Sequence, residues 1–296
     1  MSISPLVCSR QDWYSMTAMK TAAAIHDLSC YAKSSLTVVI PTLAALQVEA
    51  SILPTALLST QTDGFDQYVY EDLTDTMGAI LCHWKSLKLF FDAIYSGFLG
   101  SQRQIDTVAD LIGWQRNLGE SPLVLIDPVM GDQGEPYGPM TSDLIRRMGQ
   151  LVRQADVITP NVTEAALLLG EPYSHDLTVQ VAQQWAERLS ALGPKQVAIT
   201  SVMDGPDGIV VAYDANTGRQ QLFRQSYAPV SFPGCGDLFA SILCATLVHE
   251  MPFCEAVSTA SQLVSKAVYA SWEAQIPTRQ GVAVEYIMKD LVEVFR

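Results

Sequence analysis

In LVLIDPVMGDQGEPYG, residues 123–138, four apolar residues run straight into Asp127 and then into a loop punctuated by Pro128, Gly131, Gly134 and Pro136. A short apolar run bounded by turn residues predicts a strand over 123–126 that ends at Asp127. Outward from it, the same form recurs in KTAAAIHD (20–27), EASILPT (49–55), FDAIYSGF (91–98), ADVITPN (155–161) and KQVAITSV (195–202). Segments of helical length and spacing lie between them, around 75–90, 101–117, 141–154 and 178–192. Strand and helix in alternation are the mark of βαβ units. The chain therefore predicts an α/β fold with a mostly parallel central sheet, helices on both faces, and a ligand site at the carboxyl ends of the strands.

The tail breaks the alternation. GIVVAYDANTGRQQLFRQSY (208–227) reads as two strands about an Asn-Thr-Gly turn, an antiparallel edge hairpin, and 237–294 reads as nearly all helical. No repeat, low-complexity tract or linker divides the chain, so 19–296 is expected to form a single domain. Residues 1–18 precede the first strand-like pattern at Lys20 and are expected to be a loosely attached extension.

Charge narrows the partners. The chain of 296 residues carries a formal net charge of −13, which repels phosphate backbones and anionic lipid and argues against nucleic acid as a partner. No apolar run approaches the ~18 residues of a membrane span. The six cysteines, Cys8, Cys30, Cys82, Cys235, Cys244 and Cys254, show no zinc spacing and read as mostly buried thiols of a reducing, cytoplasmic compartment.

Three stretches carry chemistry. In SFPGCGDLFASI (231–242), Gly234 and Gly236 allow the backbone N–H groups to converge on an anion, and the helix that follows adds its N-terminal donors and dipole. Asp237 in its first turn suits two roles: a carboxylate complementing the helix dipole, or a general base beside an anion hole, a role that contributes ~100- to 10,000-fold in rate. In 123–138, Asp127, Asp132 and Glu135 can hold Mg²⁺ directly or through water, although Asp and Gly are also ordinary turn residues. In DVITPNVTEAALLLG (156–170), Asn161 and Glu164 have the spacing of a capping box, and Glu164 could face the same cation as Asp127. A fourth strand end presents the hydroxyls of Thr200 and Ser201. Neither a Walker loop nor a dinucleotide fingerprint is present.

Together, GCGD (234–237), TPNVTE (159–164) and DPVMGD (127–132), with the order of HDLS, LLSTQT and YSGF, resemble the vitamin-kinase branch of the ribokinase superfamily, within it the pyridoxal (pyridoxine, pyridoxamine) kinase family. The resemblance implies a ribokinase-like three-layer fold and transfer of the ATP γ-phosphoryl group to the 5'-hydroxymethyl of a B6 vitamer. It makes Asp237 the base that also touches substrate, and Gly234, Cys235 and Gly236 the anion hole. It assigns Asp127, Asp132 and Glu164 to Mg²⁺ and Asp127, Asn161, Glu164, Thr200, Ser201 and Cys235 to the nucleotide. Ser29, Thr62 and Phe98 fall to the vitamin, and the loop around 129–140 becomes a candidate lid. A homodimer follows from the same resemblance, which also leaves room for a monovalent cation. Departures stand at Cys235 (commonly Thr), Gln61 (commonly His), Asp63 and Cys30 (commonly Gly) and Phe98 (commonly Tyr). The alternatives are a hydroxymethylpyrimidine kinase and a vitamin-binding protein that keeps the fold without catalysis.

Overall fold

The computed structural model describes residues 19–226, 228 and 230–296. The expected N-terminal extension, 1–18, and Tyr227 of the expected hairpin lie outside the described residues. In chain order the elements are β1 (Lys20–Ser29), α1 (Leu36–Ala45), β2 (Val48–Leu58), β3 (Tyr70–Asp72), α2 (Thr74–Leu87), β4 (Ala93–Ser96), α3 (Gln102–Asn117) and β5 (Leu123–Ile126). These are followed by β6 (Gly131–Asp132), β7 (Glu135–Pro136), α4 (Ser142–Val152), β8 (Val157–Ile158), α5 (Val162–Leu169) and α6 (Val179–Ser190). The remainder comprises β9 (Gln196–Asp204), β10 (Asp207–Asp214), β11 (Arg219–Ser226), α7 (Cys235–Val248), α8 (Phe253–Glu273) and α9 (Met288–Glu293).

Among the described residues nine strands form one sheet in the order β11-β10-β9-β8-β5-β4-β1-β2-β3, parallel from β9 to β2 and antiparallel at both edges. The apolar runs are buried on both faces, and successive side chains go to opposite cores. Ala23, Ile25, Ile94, Val124 and Ile126 join the core under α2 to α6. Their neighbours Ala22, Ala24, Tyr95 and Leu125 join the core under α1, α7, α8 and α9. This is the three-layer α/β architecture expected.

Four features depart from expectation. The helix α1, LTVVIPTLAA, is absent from the predicted segments because its β-branched residues and internal Pro41 obscure a helical period. The far edge carries a second antiparallel strand, β3, of only three exposed residues. Within the candidate lid, β6 and β7 pair as a two-stranded ribbon rather than a plain loop. Finally, of the five cysteines among the described residues only Cys244 is buried, whereas Cys30 and Cys82 are exposed. Cys30 opens the loop after β1, and Cys82 follows buried Leu81 on the outer side of α2.

The topology positions the site. From β1 the chain crosses through α1 to β2 on one side, and from β4 it crosses through α3 to β5 on the other. The order therefore reverses between β1 and β4, and a crevice opens at their carboxyl ends. A bulge between His26 and Leu28, opposite Pro54 of β2, re-aims β1 as it enters that crevice.

Candidate active site

The N-terminus of α7 closes the crevice. Gly234 caps it at φ 85°, where a Cβ would lie 3.0 Å from Val38 Cγ2 and 3.1 Å from the Lys33 carbonyl oxygen, so glycine meets both demands. The first intrahelical bond is from Leu238 N–H to the Gly234 carbonyl. The N–H groups of Gly234, Cys235, Gly236 and Asp237 are the four that helix geometry leaves without an intrahelical acceptor. They carry the dipole's positive end toward the crevice.

Asp237 sits among them with its side chain 14% exposed. Its Oδ2 accepts the Ser35 N–H at 2.8 Å, and its main-chain oxygen accepts the Tyr95 hydroxyl at 3.3 Å. Ser35 makes this contact from a sparsely populated conformation, φ 50° and ψ −130°, which the surrounding structure must enforce. The same residue donates its hydroxyl to Asp27 Oδ1 at 2.6 Å, and so bridges two carboxylates. Burial pushes the Asp237 carboxyl up to about 6, with the Asp27 charge adding and the Ser35 N–H opposing.

On the neighbouring strand end, buried Asp127 accepts the Thr159 hydroxyl at 3.0 Å. A Cβ on Gly236 would lie 4.0 Å from Asp127 Oδ2, so this carboxylate faces the first turn of α7. Burial, then the Asp237 charge, raises it to about 8. Glu164 completes the capping box with Asn161 and also accepts the Met130 N–H at 3.1 Å. Burial, then the Asp127 charge, lifts it well above the usual carboxylate range. Asn161 donates its amide to the Gly131 carbonyl at 2.9 Å, and Thr163 accepts the Gly134 N–H at 2.9 Å. The ribbon β6–β7 is thereby pinned to the start of α5.

The remaining sequence-predicted residues are placed as follows. Asp132 is exposed on the ribbon, where it accepts the Gln133 N–H. Thr200 bridges to Asn161, and Ser201 beside it adopts φ 61° where β9 bulges against β10. Ser29 is buried next to Asp27 and Ser34, 3.5 and 3.3 Å from them. Phe98 is partly buried and packs on the core, and Thr62 is exposed in the loop after β2. Gln61 is buried and spends its amide on the backbone of Asp63 and Arg279. Burial raises the Cys235 thiol to about 12, which keeps it protonated and unreactive.

Three participants escaped the sequence reading. Asp27 carried the signal that singled out Asp127, an acid at a strand end. Ser35 and Tyr95 carried none, because one acts through its backbone and the other through a hydroxyl inside an apolar strand.

The donor set suits a cation shared with phosphate. Asp27, Asp127, Glu164 and Asp237 make no Lys or Arg ion pair among the described residues. Nor do any three His, Cys, Asp or Glu side chains there form a ready-made metal cage. Unneutralised carboxylates too few to enclose an ion match Mg²⁺, which keeps waters and takes ligands from a substrate's phosphates.

A model of the phosphomethylpyrimidine kinase family matches residues 25–281. A pyridoxine/pyridoxal/pyridoxamine kinase of Bordetella avium is 31% identical over 207 residues, 66% of this chain and 68% of the relative. Among curated relatives the matched stretch spans from about half of their own length, 50% for the pyridoxal kinase of Arabidopsis thaliana, to 70%. A candidate phosphomethylpyrimidine kinase of Bacteroides thetaiotaomicron, crystallised with pyridoxal, superposes with a TM-score of 0.87 at 36% identity, over 93% of this chain and 96% of that one. The pyridoxal kinase of Lactobacillus plantarum superposes with a TM-score of 0.85 at 29% identity, over 94% and 98%.

Proposed function

Because this chain belongs to the phosphomethylpyrimidine kinase family, among its pyridoxal kinases, we propose that it transfers the γ-phosphoryl group of ATP to the 5'-hydroxymethyl group of a B6 vitamer. The placement of Asp237 carries this reading. A carboxylate held near pKa 6, in the first turn of a helix whose N-terminal N–H groups face the crevice and at the switch point of a parallel sheet, has the position and proton affinity of a general base.

In this mechanism Asp237 takes the proton of the vitamer's hydroxyl. The oxygen forms its bond to the γ-phosphorus as the bond from that phosphorus to the β,γ-bridging oxygen breaks, and ADP leaves. The N–H groups of Gly234, Cys235 and Gly236, with that of Asp237 beside them, hold the charge that develops on the equatorial oxygens. Because these donors belong to the backbone, Cys235 in place of the common Thr leaves them intact. Asp127, Glu164 and Asp132, directly or through water, would hold a Mg²⁺ ion that neutralises phosphate charge when bound. Thr200, Ser201 and Asn161 line the edge where the nucleotide phosphates approach. Ser29, Thr62 and Phe98 would serve the vitamin ring, and the ribbon β6–β7 would exclude water.

Measuring ADP release from Mg·ATP with pyridoxal, pyridoxine, pyridoxamine and hydroxymethylpyrimidine, against a vitamer-free blank, tests the reading. Turnover on a B6 vitamer well above the pyrimidine is expected. The family's description and that of the Bacteroides relative favour hydroxymethylpyrimidine as the second reading, and faster turnover on it would install that activity instead. Binding without turnover on any of the four would mark a non-catalytic vitamin binder.

The wider reading is of one kinase domain over 19–296, working as a cytoplasmic homodimer and admitting a monovalent cation beside Mg²⁺. The family resemblance supports the last two features. No helix among the described residues is long and apolar enough to cross a membrane.

A further inference from the structure

His26 has no part in the chemistry above, yet it is a wholly enclosed polar side chain beside the base. It is 0% exposed, on β1 immediately before Asp27, and neither ring nitrogen has a hydrogen-bond partner among the described residues. Buried polar groups left unpaired are rare and ask for an explanation. Two neighbours hold the ring in place. Tyr95 meets it edge-on, with centroids 4.4 Å apart and planes at 75°. Gly97 lies against Nδ1 so closely that a Cβ there would overlap it. The glycine of YSGF thus makes room for the imidazole, which points Nδ1 at Asp237 Oδ1, 3.8 Å away.

Burial drives the ring's proton affinity down to about 3, so it is a neutral imidazole at physiological pH, with one N–H. The Asp237 carboxylate is the acceptor that faces Nδ1, and its other oxygen is already fixed by the Ser35 amide at 2.8 Å. Catalytic hydrogen bonds are often long before substrate binds and tighten in the complex. Closing the 3.8 Å gap in the complex requires the Asp237 side chain to turn toward the ring.

We propose that His26 is a positioning residue for the base: its Nδ1–H binds Asp237 Oδ1 while the Ser35 N–H binds Oδ2, and the two donors aim the carboxylate at the substrate hydroxyl. This rests on the reading of Asp237 as the base. The groups that face Asp237 are Asp27 from β1, Tyr95 from β4, Asp127 beyond β5, Tyr137 beyond β7 and Cys235 on its own helix. The Lys33 ammonium turns away to Glu285, 3.5 Å distant. None of these replaces the imidazole as a donor to Oδ1.

The test compares His26→Phe, His26→Gln and Asp237→Asn with the wild type, by turnover of pyridoxal with Mg·ATP across pH and by calorimetric affinity for pyridoxal. For His26→Phe we expect kcat down by about tenfold to a hundredfold, affinity for pyridoxal within about twofold, and the acid limb of the rate profile moved up by about one pH unit. His26→Gln, which offers an amide N–H, should recover the rate to within about threefold and restore the limb. A folded His26→Phe with wild-type kcat and limb, or a glutamine variant no better than phenylalanine, overturns the proposal. Asp237→Asn with substantial turnover removes the base itself, an outcome distinct from either. Should the His26 variants not fold, ¹⁵N spectra of the wild-type histidines decide. A neutral Nδ1–H tautomer at His26 whose resonance moves in Asp237→Asn is required, and an Nε2–H tautomer or an insensitive resonance overturns it.

Discussion

Asp127 and Asp237 both hold their protons more tightly than an ordinary carboxylate, chiefly through burial, with the Asp237 charge adding at Asp127 and the Asp27 charge adding at Asp237. The kinetic consequence concerns Asp237. If it accepts the substrate proton, kcat/KM should fall with unit slope below about pH 6 and stay level above, as a profile from pH 5 to 8 would reveal. The energetic consequence concerns Asp127. Between its unfolded value of 3.8 and its folded value of about 8, the folded chain holds a proton that the unfolded chain releases. Stability from this group is therefore present at low pH and lost as pH rises through that window. Asp127→Asn, which can still accept from Thr159, should raise the stability of the nucleotide-free protein at pH 8 by about 1–3 kcal/mol, with the gain shrinking toward pH 4, while turnover falls. Denaturant melts at the two pH values check this, and a loss of stability at pH 8 would show that the charge is already compensated. At this scale the sequence revealed acids at strand ends, since Asp127 and Glu164 follow apolar runs. It concealed residues that act through the backbone, because nothing in the letter at Ser35 announces φ 50°.

Helix α5 shows how one local signal can serve two purposes. Its Asn161–Glu164 capping box is legible as N-x-x-E at the end of an apolar run, and it forms as the spacing requires. What spacing could not show is that each side chain has a second partner: Asn161 holds the Gly131 carbonyl and Glu164 the Met130 amide. The cap of the helix is thus also the anchor of the ribbon β6–β7. Asn161→Ala should cost about 1–2 kcal/mol by thermal or denaturant unfolding, as loss of an N-cap does. It should also raise vitamer-independent ATP hydrolysis relative to productive turnover, because the ribbon loses its tether. A melt lowered with unchanged coupling would confine Asn161 to the helix. The missed α1 is the opposite case, where β-branched residues and Pro41 conceal a helix that tertiary packing nevertheless enforces. Leu36, Val38, Val39 and Leu43 are all fully buried against the sheet.

Across the whole molecule, alternation of apolar runs and amphipathic segments was sufficient to predict the parallel sheet and its two helical layers. The order of the strands was not so available, since it depends on which side each crossover turns. That order brings residues more than 200 positions apart into contact, as in Ser35 with Asp237. The turn at Thr278–Gln280 and the residues after it then stitch the assembly together. Lys33 N–H binds the Gln280 carbonyl at 3.0 Å, Gln61 binds the Arg279 carbonyl at 3.0 Å, and Val282 N–H binds the Pro233 carbonyl at 2.9 Å. Gly281, at φ 76°, lies where a Cβ would overlap the Lys33 carbonyl oxygen. Gly281→Ala should therefore destabilise the fold by more than about 1 kcal/mol and depress turnover with it, since it displaces the loop that leads to Ser35. A variant of unchanged melting temperature and activity would show that the loop holds without this turn.

That stitch also bears on timing. A ribosome builds the chain from one end, and β1, β4, β5 and even the base on α7 emerge before residues 278–282 do. Until those residues arrive, the segment between β1 and α1 lacks the bond from the Lys33 N–H to the Gln280 carbonyl, although Asp27 and Asp237 can already hold Ser35. A nascent chain can thus carry each of these groups already in sequence and still lack the contacts that residues 278–282 supply.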